Sequence, residues 1–333
     1  ERGIFSRVAA QAKARENGRR ESDWDFGTNP CSEIILRPNQ FCNLSEVVAR
    51  EKDTKASLKR KVRLATILGT LQATLTDLPY LRAVWKRNTA EESLLGVSLT
   101  GIQECPLLHN LDAKLLKEMK DAAIETNKEW AEKLGIPQSA AITCIKPSGT
   151  VSQLVNSASG IHGRFSPYYI RTVRQDNKDP ITDFLKDSGV PNEPCAMKPN
   201  STTIFSFPIK SPEGAILANE QTALEQLENW KNFAVNWCEH KPSVTIYVKD
   251  EEWLEVGAWV YSNFEICSGI SFLPYSDHTY AQAPYQDCSE EDYEAAFAAF
   301  PSQINFGDLV NYEKEDNTEG AQTLACVAGA CEI

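Results

Sequence analysis

Four segments of the chain carry apolar residues at helical spacing. They are residues 58–78, 112–134, 219–238 and a stretch that begins at Ser289. Pro79 ends the first segment, because proline cannot continue helical hydrogen bonding. Asp112 is a suitable N-cap for the second, and Gly135 is a typical residue just beyond a helix. Ser289, with Asp292 three residues later, predicts a near capping box.

Short apolar runs between these helices predict strands. They cover residues 33–36, 42–48, 94–102, 140–145, 202–209, 243–248 and 269–275. The run 94–102 also fits a buried loop. Strands and helices alternate loosely, which is typical of an α/β protein. Residues 1–28 show no convincing period, and the polar stretch after about Glu313 predicts a mobile tail.

Composition is that of an ordinary globular protein, since 42% of the 333 residues are hydrophobic and 24% are charged. A net charge of −12 argues against a nucleic-acid-binding surface, which would need a basic patch. No run approaches the ~18 apolar residues of a membrane span. The charged start has no apolar signal segment, and we expect it to be the middle of a longer protein. Ten cysteines at irregular spacing favour a reducing, cytoplasmic location.

Asn29, Cys31 and Glu33 place an amide, a thiol and a carboxylate at every second position of the chain. If this segment is extended, the three side chains share one face. They would suit a reaction that needs a sulfur centre, a proton acceptor and an orienting hydrogen bond. A buried cysteine beside a capping or surface glutamate fits the spacing as well. A cysteine–histidine nucleophile is less favoured, because no signature places any of the four histidines beside Cys31.

Three further cysteines suggest redox chemistry. Cys42 follows Cys31 closely, and Cys326 and Cys331 end the chain with four small residues between them. A terminal pair of this kind can carry reducing equivalents by thiol–disulfide exchange. Zinc binding is disfavoured because the tail offers two thiols where a structural site uses four ligands. Two incidental thiols on a tail remain an alternative.

The run Lys146-Pro147-Ser148-Gly149-Thr150 predicts a turn that leads into a helix. Backbone N–H groups and hydroxyls at such a turn can bind an anion. The spacing is not that of a P-loop, and a plain N-capped helix fits equally well. Farther along, Tyr168 and Tyr169 lie among arginines, either as a ligand wall or as part of a core strand.

Together these motifs resemble one family, the ribonucleotide reductases, and within it the adenosylcobalamin-dependent, class II enzymes. NPCSE at 29–33 resembles the family's active-site finger loop, and FCNL at 41–44 its redox-pair strand. KPSGT at 146–150 resembles the substrate-phosphate loop, and the final CVAGAC the shuttle tail. Stretches such as FPIKSPEGAI and SVTIYV are similar to the later half of the monomeric, triphosphate-reducing branch. The resemblance covers almost the whole chain.

The resemblance implies a role for each motif. Cys31 becomes a transient thiyl radical that abstracts the 3′-hydrogen of the substrate ribose. Glu33 accepts the 3′-hydroxyl proton as general base, and Asn29 orients the substrate. The 2′-hydroxyl then leaves as water, while Cys42 and a partner cysteine supply two electrons and form a disulfide.

Binding and turnover follow from the same resemblance. Cys326 and Cys331 reduce the active-site disulfide, and thioredoxin or a similar dithiol resets the tail. The phosphates of a ribonucleoside triphosphate bind at the loop formed by Pro147, Ser148, Gly149 and Thr150. Adenosylcobalamin is the implied cofactor, and no resident metal beyond its cobalt is expected.

For the fold, the resemblance implies the second half of a ten-stranded α/β barrel, with a finger loop carrying the radical cysteine. Residues 1–315 would be the C-terminal half of the catalytic barrel. Cobalamin would contact stretches after about 188 and around 280–319, at residues that the motifs do not identify. Residues 316–333 would be a flexible tail with the redox pair. The partner of Cys42 lies in the family's earlier half, so activity should need an N-terminal portion.

Two other interpretations compete. The chain could be a fragment of a class I large subunit, which has a similar tail. Tyr168 and Tyr169 resemble the stacked pair of tyrosines in those subunits. Pro30 and the short spacing from Cys31 to Cys42 favour class II. A non-catalytic nucleotide-binding or regulatory fragment is the second alternative. The intact set of thiols, together with Glu33, argues against such decay.

Overall fold

The structure is a computed structural model that describes residues 2–275 and 281–314. The α-helices are α1 Arg7–Glu16, α2 Lys55–Gln72, α3 Ala83–Glu92, α4 Pro106–His109, α5 Ala113–Leu134, α6 Val151–Leu154, α7 Pro180–Asp187, α8 Ala223–Asn236, α9 Trp253–Ser262 and α10 Glu290–Ala299. The strands are β1 Arg2–Ile4, β2 Gly27–Thr28, β3 Ile35–Leu36, β4 Asn43–Val48, β5 Leu95–Thr100, β6 Tyr168–Asp176, β7 Asn192–Pro194, β8 Thr202–Lys210, β9 Thr245–Val248, β10 Ile270–Pro274 and β11 Tyr285–Asp287. The chain divides into two compact units, residues 1–164 with 214–276 and residues 165–213 with 277–333.

Parallel pairing organises the first unit. Strand β4 pairs in parallel with β5, and β5 bridges in parallel to the segment around Thr143. Ile145 bridges in parallel to Pro242, just before β9, and β9 pairs in parallel with β10. Helices connect these segments, as parallel pairing requires. Five parallel segments therefore run side by side, with β1 antiparallel at one edge.

Helices pack along one face of this array. Helix α2 contacts β4 and β5, and then α5, α8 and α9 follow, each packed on the one before. The core between the layers contains Val97 of β5, Met119 of α5 and Trp230 of α8, all buried.

Three of the predicted helices lie in this unit and can be compared with the structure. The helix predicted at 112–134 is confirmed as α5, with Asp112 accepting the Leu115 N–H and Gly135 in the left-handed conformation. The first predicted helix was too long, because α2 ends at Gln72 and not at Pro79. Helix α8 likewise covers only the middle of residues 219–238.

The sequence pattern missed helix α1. Its buried face consists of Ala9, Ala10 and Ala14, which are too small to give a strong apolar period. Ala10 and Ala14 pack against Phe26 and Ile35. Helix α1 thus supports the hairpin that carries the Asn29–Glu33 motif. Helices α3, α7 and α9 were not predicted either.

The second unit is an antiparallel sheet in the order β11-β6-β8-β7. Its apolar cluster includes Phe184 and Leu185 of α7 together with Phe205 of β8. The predicted strand at 202–209 is confirmed as β8. The helix predicted at Ser289 is confirmed as α10, where Ser289 accepts the Asp292 N–H.

The α/β fold class is confirmed, and the five parallel segments are consistent with half of a ten-stranded barrel. Closure into that barrel stays a prediction, as does the division at residue 315. Cys326 and Cys331 lie outside the described residues. Within the described residues, no helix is long and apolar enough to cross a membrane.

Candidate active site

The Asn29–Glu33 motif lies in the loop of a short hairpin. Strands β2 and β3 pair antiparallel, and residues 29–34 connect them. The Ser32 N–H donates to the Asn29 carbonyl at 2.9 Å, and Asn29 Oδ1 accepts the Ile34 N–H at 3.0 Å. The premise of an extended segment was therefore wrong: the chain turns at Asn29 and Ser32. The Asn29 side-chain oxygen stabilises this turn, which holds the loop in one conformation.

Cys31 lies exposed in this loop. Its carbonyl oxygen accepts a hydrogen bond from the Ser243 hydroxyl at 2.6 Å. The main chain at Cys31 is thus fixed, while the residue stays exposed to solvent. A reactive sulfur that must meet another molecule needs this combination.

Glu33 is fully buried two residues later. Neither carboxylate oxygen has a hydrogen-bond partner within the residues that the structure describes. The nearest cation is Lys146, whose Nζ lies 3.6 Å from Glu33 Oε1. A buried carboxylate normally receives hydrogen bonds, because burial without them is costly. Unused acceptors on Glu33 therefore indicate a site for an incoming hydroxyl group.

Residues 240–243 hold the hairpin loop in place. The Ile35 N–H donates to His240 Nδ1 at 3.3 Å, and His240 Nε2 lies 2.9 Å from the Leu95 carbonyl. Accepting at Nδ1 places the ring proton on Nε2, so the imidazole is neutral. Burial, with a smaller contribution from Arg20, lowers the pKa of His240 to about 3. His240 is therefore a structural link between the loop and β5.

Lys241 is the buried cation of this region. Its main-chain N–H donates to the Glu33 carbonyl at 3.3 Å, and its side-chain Nζ donates to the Gly269 carbonyl at 3.2 Å. Burial lowers the pKa of Lys241 to about 8, although the charge of Glu33 acts in the opposite direction. The glycine at 269 lets the lysine approach closely, because a Cβ there would lie 2.1 Å from Lys241 Nζ and would displace it. Two lysines, Lys146 and Lys241, thus act on one carboxylate.

Cys42 lies just before β4 and is half-buried. Burial raises the pKa of its thiol well above the usual range, and the charge of Glu33 adds to the effect. Cys144 is fully buried, and its thiol pKa is raised by burial and then by the charge of Glu33. Both sulfurs are therefore protonated thiols at neutral pH. A protonated thiol carries the hydrogen that a radical reduction consumes.

The Lys146–Thr150 loop lies beside the same carboxylates. The Lys146 N–H donates to Ser98 Oγ at 2.8 Å, which joins the loop to β5. Ser148 is buried and donates its hydroxyl to Glu46 at 2.6 Å. A helix does begin after Thr150, as predicted, but α6 is a single turn. Its dipole is therefore small, and anion binding would depend on the hydroxyls and N–H groups of the loop.

Tyr168 and Tyr169 lie on a strand, as one of the two alternatives predicted. Consecutive residues of β6 point to opposite faces of the sheet. The Tyr168 ring packs against Tyr293, whereas the buried Tyr169 ring packs against Phe165 and Tyr285. The contacts of these rings place them on different faces, which gives no support to a stacked tyrosine pair.

The structure brings Cys31, Glu33, Cys42 and Ser148 into one region of the first unit. Sequence reasoning missed Glu46, His240, Lys241 and Ser243. Residues 240–243 lie more than 200 positions from the hairpin that they hold, and no local pattern marks such a contact. The alternation in β4 was a usable signal for Glu46, because it places this carboxylate on the less buried face of the strand, with Leu44 and Val48.

Comparison with known proteins shows what the chain is similar to. No protein-family model matches the chain. Over 92% of its length it is 27% identical to an adenosylcobalamin-dependent ribonucleoside-triphosphate reductase of Lactobacillus gasseri. It is 29% identical over 94% of its length to the enzyme with the same name from Euglena gracilis. The chain is homologous to adenosylcobalamin-dependent ribonucleoside-triphosphate reductases.

Solved structures agree on the fold of these reductases. The crystal structure of a B12-dependent, class II ribonucleotide reductase matches 87% of the chain with a TM-score of 0.73 at 24% identity. The class Id α subunit of Actinobacillus ureae matches 83% with a TM-score of 0.52 at 14% identity. The class II likeness is greater. The chain spans less than half the length of the curated reductases named above, 45% and 43% respectively.

Proposed function

We propose that this chain is the thiyl-radical portion of an adenosylcobalamin-dependent reductase that converts ribonucleoside triphosphates into 2′-deoxyribonucleoside triphosphates. One observation carries the proposal. The hairpin loop holds Cys31 exposed two residues from a buried carboxylate, Glu33, whose oxygens have no hydrogen-bond partner among the described residues. The similarity of the chain to the reductases named above indicates which reaction these two residues would carry out.

The residues divide the reaction between them. Cys31 removes the 3′-hydrogen atom of the ribose, and Glu33 accepts the proton of the 3′-hydroxyl. The 2′-hydroxyl leaves as water. Cys42 and a second thiol together supply two electrons and two protons and become a disulfide: one proton leaves in the water and the other hydrogen ends on C2′. Cys31 then returns the hydrogen atom to C3′, and Glu33 returns its proton to the 3′-oxygen. The loop of Pro147, Ser148, Gly149 and Thr150 binds the phosphates, while Asn29 keeps the hairpin loop turned toward the substrate.

Adenosylcobalamin fits this site in one respect that the structure shows. Cys31 is exposed, so an external radical source can reach it, whereas the neighbouring Cys144 is buried. When bound, the cofactor supplies the one-electron oxidation that converts the Cys31 thiol into a thiyl radical. The hairpin, fixed by Asn29 and Ser243, keeps that sulfur at a constant position.

A companion portion completes the enzyme in this proposal. Strand β4 has no second partner strand in the part of the chain that the structure describes. Beside it, α2 and the turn after it expose Leu64, Leu68, Leu71 and Leu75 at helical spacing, each by 41% or more. An open strand edge next to an apolar stripe is typical of an interface. The part of the relatives' length that this chain does not span would cover it and supply the partner of Cys42.

We expect the chain alone to be poorly stable or to aggregate. Addition of the companion portion should raise the melting temperature by about 5 °C, since binding to the folded state stabilises it. Leu68→Lys should reduce aggregation of the chain alone and weaken this shift. Leu254→Lys on α9 is the control, because this leucine is even more exposed than Leu68 (88% against 54%) and lies outside the stripe. A cooperative melt of the isolated chain at high temperature would contradict the expectation.

The proposed activity is tested by reconstitution. The chain is mixed in the dark with its companion portion, a ribonucleoside triphosphate, a dithiol such as thioredoxin, and adenosylcobalamin. Deoxynucleotide that forms only with adenosylcobalamin supports the proposal. Product that instead requires a metal–radical subunit would assign the chain to class I, and binding of nucleotide without turnover would favour the regulatory alternative.

A further inference from the structure

Glu46 places a second carboxylate beside the predicted phosphate loop. It lies on β4, four residues after Cys42. Glu46 Oε1 accepts the hydroxyl of buried Ser148 at 2.6 Å. The hydroxyl that would bind a phosphate is therefore already donated to a carboxylate.

The other oxygen of Glu46 is not satisfied. Oε2 is buried and has no hydrogen-bond partner within residues 2–275 and 281–314. Burial raises the pKa of Glu46, and the Ser148 hydroxyl and the charge of Lys146 oppose that rise only in part. A carboxyl group in this position takes up a proton more readily than an exposed one.

Few cations are available to keep Glu46 ionised. Lys146 is shared, because its Nζ also lies 3.6 Å from Glu33. Arg50, in the groove beside Glu46, donates to the carbonyls of Val155 and Asn156. Lys61, in the same groove, is 2.7 Å from Asp53 and donates to the Val48 carbonyl.

These partners leave Glu46 without an ion pair of its own among the described residues. Glu33 and Glu46 share Lys146, while the charge of Lys61 is matched by that of Asp53. The buried Lys241 acts on Glu33. An oligophosphate that approaches Ser148 would thus meet an ionised carboxylate already bound to its donor.

We propose that Glu46 controls anion binding at residues 147–150. While ionised, it holds the Ser148 hydroxyl and repels an oligophosphate, and protonation removes both obstacles. This inference rests on the proposed function, which places the substrate phosphates at that loop. It makes Glu46 a determinant of affinity, with phosphate binding coupled to uptake of a proton.

Calorimetric titration with tripolyphosphate tests the inference on the 333-residue chain bound to its companion portion, and the companion portion alone is titrated as the blank. We compare wild type with Glu46→Gln at pH 8 and pH 5, and use circular dichroism to verify that each variant is folded. Glu46→Gln should bind about tenfold more tightly than wild type at pH 8, because a nearby like charge is removed. The ratio should fall toward one at pH 5, and taking the ratio cancels the titration of tripolyphosphate itself.

Two further variants separate the possible results. Glu51→Gln removes the same charge from an exposed position near the end of β4 and should not change the affinity. An equal gain in both variants would overturn the inference by showing a general charge effect. Ser148→Ala should weaken binding at pH 5, where protonated Glu46 releases the hydroxyl, if the loop binds the anion.

The remaining outcomes distinguish this inference from the proposed function. Equal affinity of wild type and Glu46→Gln at both pH values, with weaker binding by Ser148→Ala, would overturn the role of Glu46 and leave the phosphate loop standing. Absence of binding by wild type and by Glu46→Gln would remove the loop assignment itself, and the role of Glu46 with it.

Discussion

Replacement of Cys31 by serine should abolish deoxynucleotide formation in the reconstituted enzyme. The two side chains have almost the same shape, and Cys31 is exposed, so the packing of the hairpin should not change. The hydrogen bond from Ser243 goes to the carbonyl of residue 31 and is independent of its side chain. A serine O–H bond is much stronger than a thiol S–H bond, so no oxygen radical forms in its place. We expect a loss of about 10³-fold or more, as for other reactive groups without a substitute.

The matched control is Cys267→Ser. The Cys267 thiol is buried and donates to the Asn263 carbonyl at 3.3 Å, and a hydroxyl can make the same hydrogen bond. This variant should keep nearly full activity. Both variants should bind the triphosphate as wild type does, because neither changes the 146–150 loop. Product formation that survives in Cys31→Ser would show that the hairpin thiol is not the radical centre.

Cys31 and Cys267 illustrate which features of the site could be predicted from the sequence. The order of residues in NPCSE and the resemblance of that motif single out Cys31 as the candidate radical centre, which stays a prediction, although the extended geometry first assumed for it was wrong. Helix α5 and strand β4 were also predicted, because the signals that mark them are local. Both show a regular spacing of apolar residues, and α5 has in addition its N-cap and its final glycine. Helix α1 was missed because alanines alone form its buried face.

The support of the site was not predictable in the same way. His240, Lys241 and Ser243 act on the hairpin through contacts that cross more than 200 residues of chain. Their segment, EHKPS, has no spacing that indicates such contacts, and only the parallel array brings it beneath the loop. The isolation of the Glu33 oxygens is likewise a property of packing, which no local pattern contains.

Replacement of Glu33 by glutamine should lower kcat by about 10²- to 10⁴-fold, the usual contribution of a general base. Glutamine has nearly the same shape, and the Lys241 N–H bonds the main-chain carbonyl of residue 33, so the loop should stay in place. KM for the triphosphate should change little, because the predicted phosphate loop is intact. Glu33→Asp, which keeps the carboxylate but shortens its reach, should fall between wild type and Glu33→Gln.

The same experiment tests whether charge alone explains the loss. Glu33→Gln leaves Lys146 and Lys241 without the carboxylate on which both act. Lys146→Met in the Glu33→Gln background removes the nearer lysine, whose Nζ lies 3.6 Å from Glu33. If unbalanced positive charge caused the defect, the double variant would recover activity. If Glu33 is the proton acceptor, the double variant stays as slow as Glu33→Gln, because no other group replaces its buried, hydrogen-bond-free oxygens. A Glu33→Gln enzyme with the kcat of wild type would instead assign this buried carboxylate a structural role.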